Sequence, residues 1–159
     1  MKESIGATWV MQLVIAFIFL FVAFLAITIS YSKSFKVKNE ATSIIEKYGG
    51  FNDVSKGIID GYLQSSGYSN RGHCNIDKNG QIKGITDFGA NPVDATKGGR
   101  YLYCVRKESI RDDVISNVYY EVTFFYKFDL PLVGNSVSFQ ITGKTTDMVN
   151  KVTSGSYFN

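Results

Sequence analysis

The chain has 159 residues, of which 45% are hydrophobic and 19% charged, and carries a formal net charge of +3. That balance excludes a disordered chain, and a weak positive charge without a run of Lys and Arg of the kind that tracks phosphates argues against a nucleic-acid surface. Two Cys and one His leave a zinc site short of ligands.

The first element is apolar. Ala7 to Ser30 holds no charged residue, and the nearest charges are Glu3 before it and Lys33 after it. Its 24 residues make roughly 36 Å of helix, enough to cross a hydrocarbon core of about 30 Å with some tilt. Trp9 and Tyr31 stand near its two ends, where amphipathic rings favour the headgroup layer. A soluble core helix would need a polar side, and this run has none. A cleavable secretory signal would have a shorter apolar region and a clearer small-x-small end than Ala26-Ile-Thr-Ile-Ser30. A single transmembrane pass over 7–31 is therefore expected, after a short polar N-terminus or leader at 1–6.

The helical pattern continues while the polarity changes. Val37, Ala41, Ile44, Ile45 and Tyr48 make one apolar stripe on an otherwise polar helix over 32–48. No Pro or Gly interrupts Ala7 to Tyr48, so one helix of about 42 residues, roughly 63 Å long, is predicted. Gly49-Gly50 should end it. A second helix is predicted over Asn52–Ser65, capped by Asn52 or Asp53, with Val54, Ile58, Ile59 and Tyr62 or Leu63 on its apolar side. Ser66 to Gly72 reads as loop.

The rest reads as β. Cys74–Asp77 and Gln81–Lys83 flank Lys78-Asn79-Gly80, an Asn-Gly hairpin signal. Phe88–Gly99 is turn-rich, and Arg100–Arg106 reads as a strand. Asn117–Leu130 alternates most clearly. Val118, Tyr120, Val122, Phe124, Tyr126, Phe128 and Leu130 lie on one face, and Tyr119, Glu121, Thr123, Phe125, Lys127 and Asp129 on the other. Pro131 should end it and Val133-Gly134-Asn135 should turn. Ser136–Thr142 then alternates with Val137, Phe139 and Ile141 inward. These two strands are expected to pair antiparallel and to pack on the Val37–Tyr48 stripe. Asp147–Asn159 reads as a short helix or loose tail. The fold class is thus α+β: a long N-terminal helix packed on a small antiparallel sheet, with residues 49–159 as one globular domain.

No constellation of catalytic residues emerges. His73 stands alone in a Gly-flanked loop. Asp77-Lys-Asn-Gly80 lacks the Glu that would close a calcium loop, since that position is Phe88. Asp112-Asp113 beside Arg111 reads as a solvated turn, and Gly98-Gly99 lacks a phosphate-loop context. Neither an enzyme nor a cofactor-dependent protein is expected. Cys74 and Cys104, in different predicted strands, either pair if the domain is extracytoplasmic or remain two buried thiols.

A polar N-terminus, a long apolar helix running into an amphipathic half and a small antiparallel sheet together resemble type IV pilin-like proteins. The details are most similar to TadE-like pseudopilins of tight-adherence systems. Gly6-Ala7-Thr8-Trp9-Val10 fits their pattern of a Gly before a small residue and an apolar helix. The aromatic strand, Phe128-Asp-Leu-Pro131, the turn and the Thr/Ser-rich close are also similar. The resemblance implies processing between Gly6 and Ala7 by a prepilin peptidase. It also implies helix packing through Met11, Gln12, Val14, Ile15, Ile18, Val22 and Leu25, and a structural role in a bacterial surface filament or secretion machine. The partners implied are the lipid bilayer and other pilin-like subunits or assembly-platform membrane proteins. One departure stands out: the family's Glu at the fifth mature position would be Met11 here, beside neutral Gln12. Its absence points to a minor or initiating subunit rather than a self-stacking major one. The alternative is a non-polymerising, membrane-tethered accessory module of an envelope complex, with aromatics such as Tyr119 and Phe125 as its partner surface. Orientation is contested within the sequence. Lys33, Lys36 and Lys38 against Lys2 favour a cytoplasmic domain, whereas the cysteines and the resemblance favour an extracytoplasmic one, and residues 49–159 are expected outside the cell membrane.

Overall fold

A computed structural model describes residues 2–77, 79–111, 116–129, 136–149 and 156–158. Helix α1 spans Lys2–Lys47, 46 residues without a break, or about 69 Å. It starts five residues before the expected Ala7 and runs through Gly6. Within it, Thr8–Lys47 is long and apolar enough to cross a membrane, and its apolar window is 0% buried. From Ser34 onward the same helix buries a stripe made by Ser34, Val37, Ala41, Ile44 and Ile45. Tyr48, expected in that stripe, is exposed. The helix ends one residue earlier, and the chain turns away at Gly49, whose φ of 69° suits glycine. Gly50 N–H bonds Ile45 O at 2.9 Å and Gly49 N–H bonds Glu46 O at 3.2 Å, the paired closure of a Schellman motif.

Helix α2, Asp53–Ser65, begins at an Asn52 cap. Asn52 Oδ1 accepts from Ser55 N–H and Ser55 Oγ accepts from Asn52 N–H, both at 2.9 Å, a reciprocal capping box. A second Schellman closure ends it: Tyr68 N–H bonds Leu63 O at 3.0 Å and Gly67 N–H bonds Gln64 O at 3.1 Å. The expected face packs only in part, through Ile59 and Leu63. Ser55, Lys56, Ile59, Asp60 and Leu63 are buried, while Val54 and Ile58 are exposed. The two apolar pairs lie on different sides of a 3.6-residue helix, and only the Ile59–Leu63 side meets the core.

Six strands follow: β1 Gln81–Ile85, β2 Val93–Asp94, β3 Tyr103–Arg111, β4 Ser116–Asp129, β5 Ser136–Lys144 and β6 Met148–Val149. All pairings are antiparallel, in the order β2-β1-β3-β4-β5, with β6 also on β4. The β4–β5 pairing is as expected from the alternation. The expected hairpin arm Cys74–Asp77 is not a strand. β3 takes one edge of β1 along its whole length and β2 takes Lys83 and Gly84 on the other, while the disulfide at Cys74 holds this segment against the outward face of β3. The strand expected at Arg100–Arg106 begins at Tyr103 and runs to Arg111, because β4 offers partners that far. The edge of β5 breaks at Thr145, whose hydroxyl accepts Tyr120 N–H at 2.9 Å while its own N–H bonds Tyr120 O at 2.9 Å. The described parts of the tail are neither helix nor loose, and Met148–Val149 forms β6. Ser156 bridges to Asn52, and Phe158 is buried between Phe51 and Tyr120. Leu130, Pro131, Val133–Asn135, Lys78 and Asp112-Asp113 lie outside the described residues.

The core lies between the helices and the inner sheet face. Val118, Tyr120, Val122 and Phe124 of β4, with Tyr103 and Val105 of β3, pack on Val37, Ala41, Ile45, Ile59 and Leu63. The molecule is α+β, a long N-terminal helix on a small antiparallel sheet. Gly143 lies hard against α1: a Cβ there would come 2.7 Å from Lys38 Cγ and from Thr42 Cγ2. Glu46 Oε1 accepts Thr146 N–H at 2.6 Å one turn further along. Strand β5 therefore runs beside α1 in the same direction, away from the apolar segment.

Candidate functional site

The long bare helix is the largest feature open to a partner. Met11, Gln12, Val14, Ile15, Ile18, Val22 and Leu25 are all exposed, but so are Leu13, Phe17, Leu20 and Phe24 on its other sides. Nothing in a single copy separates the expected packing positions from their neighbours. Gln12 shares a shallow apolar hollow with Ile15, Ala16, Phe19 and Leu20. It is a neutral polar group in a segment whose environment, if lipid, offers no hydrogen-bond partner. Gly6 and Ala7 fall in the first turns of α1.

Cys74 and Cys104 are joined in a disulfide, with Cα atoms 5.8 Å apart. The bond pins a strap, residues 69–77, to the outward face of β3. Beneath it Ile82, Ala95, Tyr101, Cys104 and Phe125 form a second, smaller core. Phe125, expected as an exposed partner contact, is only 5% exposed. The strap crosses its ring at Gly72, where an added Cβ would overlap the ring, so the absence of a side chain is what allows the crossing. Tyr119 is half-buried and donates to Glu108, with Lys144 Nζ 3.6 Å from its ring centroid. That pair of aromatics does not form a joint exposed surface.

The strap, Arg100 and the outward faces of β4 and β5 enclose an open cleft of about 650 Å³. Its charged lining is Arg71, Arg100 and Lys127, with His73, Ser138 and Gln140 beside them and no carboxylate among the described lining residues. Arg71 pairs with Asp87 outside the lining, and Arg100 Nη2 donates to Arg71 O at 3.3 Å. Gln140 Nε2 donates to His73 O at 3.5 Å, bracing the strap against β5. Sequence reading missed this site because its cations come from three separate segments. His73 takes part through its position in the wall.

A buried polar cluster on α2 was also not legible. Lys56 and Asp60, 4% and 6% exposed, form an ion pair one turn apart. Asp60 also accepts from Tyr103 Oη at 2.8 Å and from Gly89 N–H at 2.9 Å. Burial, and next the Asp60 charge, push the Tyr103 phenol well above its ordinary value. The only sequence signal was the i, i+4 spacing of Lys56 and Asp60. All of the carboxylate's close partners are donors that hold it in place, an arrangement suited to fixing α2 on the sheet. The expected turn at Asp77 is supported by Asn75 Oδ1, which accepts Asp77 N–H at 2.9 Å. Among the described residues no group of three or more His, Cys, Asp or Glu could hold a metal ion.

Comparison with protein-family models, with curated proteins and with solved structures gives no match to this chain.

Proposed function

We propose that the chain is a structural, membrane-anchored subunit, pilin-like in organisation, which works by assembly rather than by catalysis. One observation carries the reading. A single unbroken helix is apolar on every side over its first half and buries one stripe in a sheet domain over its second. Such a helix needs a lipid or protein environment for the first half. The second half holds the domain rigidly at its end. In an assembly the first half would exchange lipid for neighbouring helices, with Gln12 finding a hydrogen-bond partner across the contact. The Cys74–Cys104 bond supports a domain outside the cytoplasm, since such bonds persist in oxidising compartments, and it weighs against the lysine count. Met11 in place of the carboxylate usual in the resembling family favours a minor or initiating subunit.

Both native cysteines are consumed in the disulfide, so Ile18→Cys introduces one reactive thiol in the apolar half. In a filament subunit that thiol crosslinks copies recovered in sheared surface fractions. A chain found only in membranes and never crosslinked would fit the tethered accessory module instead. N-terminal sequencing of membrane-extracted protein tests processing: a retained Met1–Gly6 would reject cleavage after Gly6.

A further inference from the structure

The basic cleft sits at one particular height on the molecule. Gly143 is level with Lys38–Thr42 of α1, and Thr146 is level with Glu46. Three strand residues rise about 10 Å, and the six helix residues between those levels rise about 9 Å, so strand and helix run nearly side by side. Descending β5 from Gly143 by the same measure puts Gln140 level with about residue 33 of α1 and Ser138 with about residue 29. That is where the apolar segment ends. Lys33 confirms the height from the other face, since its Nζ donates to Ser66 O at 2.9 Å, just before the strap begins.

The two clefts on this sheet face differ in their charged lining. Arg71, Arg100 and Lys127 line the cleft at the end nearer the apolar segment, with Lys33, Lys36 and Lys38 at similar height on α1. The far end of the same sheet face carries Asp77, Glu108 and Glu121 around Lys144. Arg100 and Lys127, with Arg71 held against Asp87 beside them, stand at the level where a bilayer's headgroups would lie, and no carboxylate is among the described lining residues; that arrangement suits a phosphodiester anion.

We propose that this cleft takes the headgroup phosphate of an anionic phospholipid from the bilayer that α1 crosses. The inference rests on reading α1 as a membrane span, and holds whether or not the chain polymerises. Lys127 and Arg100 are exposed, so their charges can be removed without opening the core. Each Lys or Arg near an anionic surface contributes roughly fivefold in affinity.

The test uses full-length protein in mixed micelles holding equal phosphatidylglycerol and phosphatidylcholine, with retained lipid counted by native mass spectrometry. The wild type should retain phosphatidylglycerol in preference. The double variant Arg100→Gln/Lys127→Gln, with its disulfide intact, should lose that preference by about 25-fold, and Lys97→Gln should keep it. Equal retention of the two lipids by the wild type, or an unchanged preference in the double variant, overturns the proposal while leaving the membrane reading standing. Glycerol phosphate displacing the lipid at equal concentration would assign the cleft to a soluble phosphate ester and overturn the lipid source. A chain that stays out of micelles and vesicles overturns the membrane reading, and the lipid site with it.

Discussion

The hydroxyl of Tyr68 completes the backbone of Phe125. It accepts Phe125 N–H at 2.8 Å and lies 2.9 Å from Phe125 O and 2.8 Å from Leu102 O. The β3–β4 ladder stops at the Tyr103–Phe124 pair, and the side chain fills the place where the next backbone partner would stand. Tyr68 is also the residue just past the Schellman turn of α2, so one side chain joins the end of a helix to the end of a ladder.

Tyr68→Phe should therefore cost about 1–3 kcal/mol, the penalty of leaving a buried donor unpaired. Tyr103→Phe should cost less, about 1 kcal/mol, because Asp60 keeps Lys56 and Gly89 N–H. Denaturant unfolding of the two variants, measured side by side, checks the order. A costlier Tyr103→Phe would show that the ladder end is satisfied in another way.

Removing the disulfide as Cys74→Ser/Cys104→Ser opens a loop with a sequence separation of 30. The chain-entropy model gives a loss of about 3–4 kcal/mol. Amide exchange should quicken first in the strap around Gly72 and His73, and only later in β4. Uniform loss of protection would mean that the bond supports the whole domain rather than the outer-face core.

The Lys56–Asp60 pair should behave as a unit. Asp60→Leu or Lys56→Met alone leaves a buried charge without its partner, at a cost of about 3–5 kcal/mol. The double substitution Lys56→Met/Asp60→Leu should cost much less than the sum. A double-mutant cycle reads the difference directly, and simple additivity would refute the coupling.

Stability should fall in alkali. Burial raises the phenols of Tyr68, Tyr103 and Tyr120, and pushes those of Tyr126 and Tyr157 up to about 12. Below the ordinary value of about 10 both states hold these protons, and stability is independent of them. Above it the unfolded chain releases protons that the folded domain retains. Stability then falls by about 1.4 kcal/mol per pH unit for each proton retained. Tyrosinate absorbance followed against far-ultraviolet dichroism should show these phenols ionising together with unfolding, whereas ionisation well before unfolding would contradict their burial.

Sequence alone determined the elements whose signal is local and periodic. The helix from the apolar run to Lys47 follows from side-chain patterns repeated over many turns with no breaker between. The inner face of β4, Val118 to Phe124, follows from strict alternation, and Asn52 and Gly49 mark helix ends through backbone chemistry that each residue carries itself. Tertiary structure decided what depends on who the neighbour is. Phe125 alternates as an outward residue, yet it is buried because a disulfide draws the strap over it. Val54 and Ile58 are apolar, yet exposed because α2 presents its Ile59 side. Asn79-Gly80 has hairpin chemistry, yet Cys74–Asp77 is not a strand, because the disulfide holds that segment over the face of β3. The basic cleft gathers Arg71, Arg100 and Lys127 from segments far apart in the chain, and its height beside α1 comes from sheet register. A local pattern sets which way a side chain points, but only the packed chain sets what meets it there.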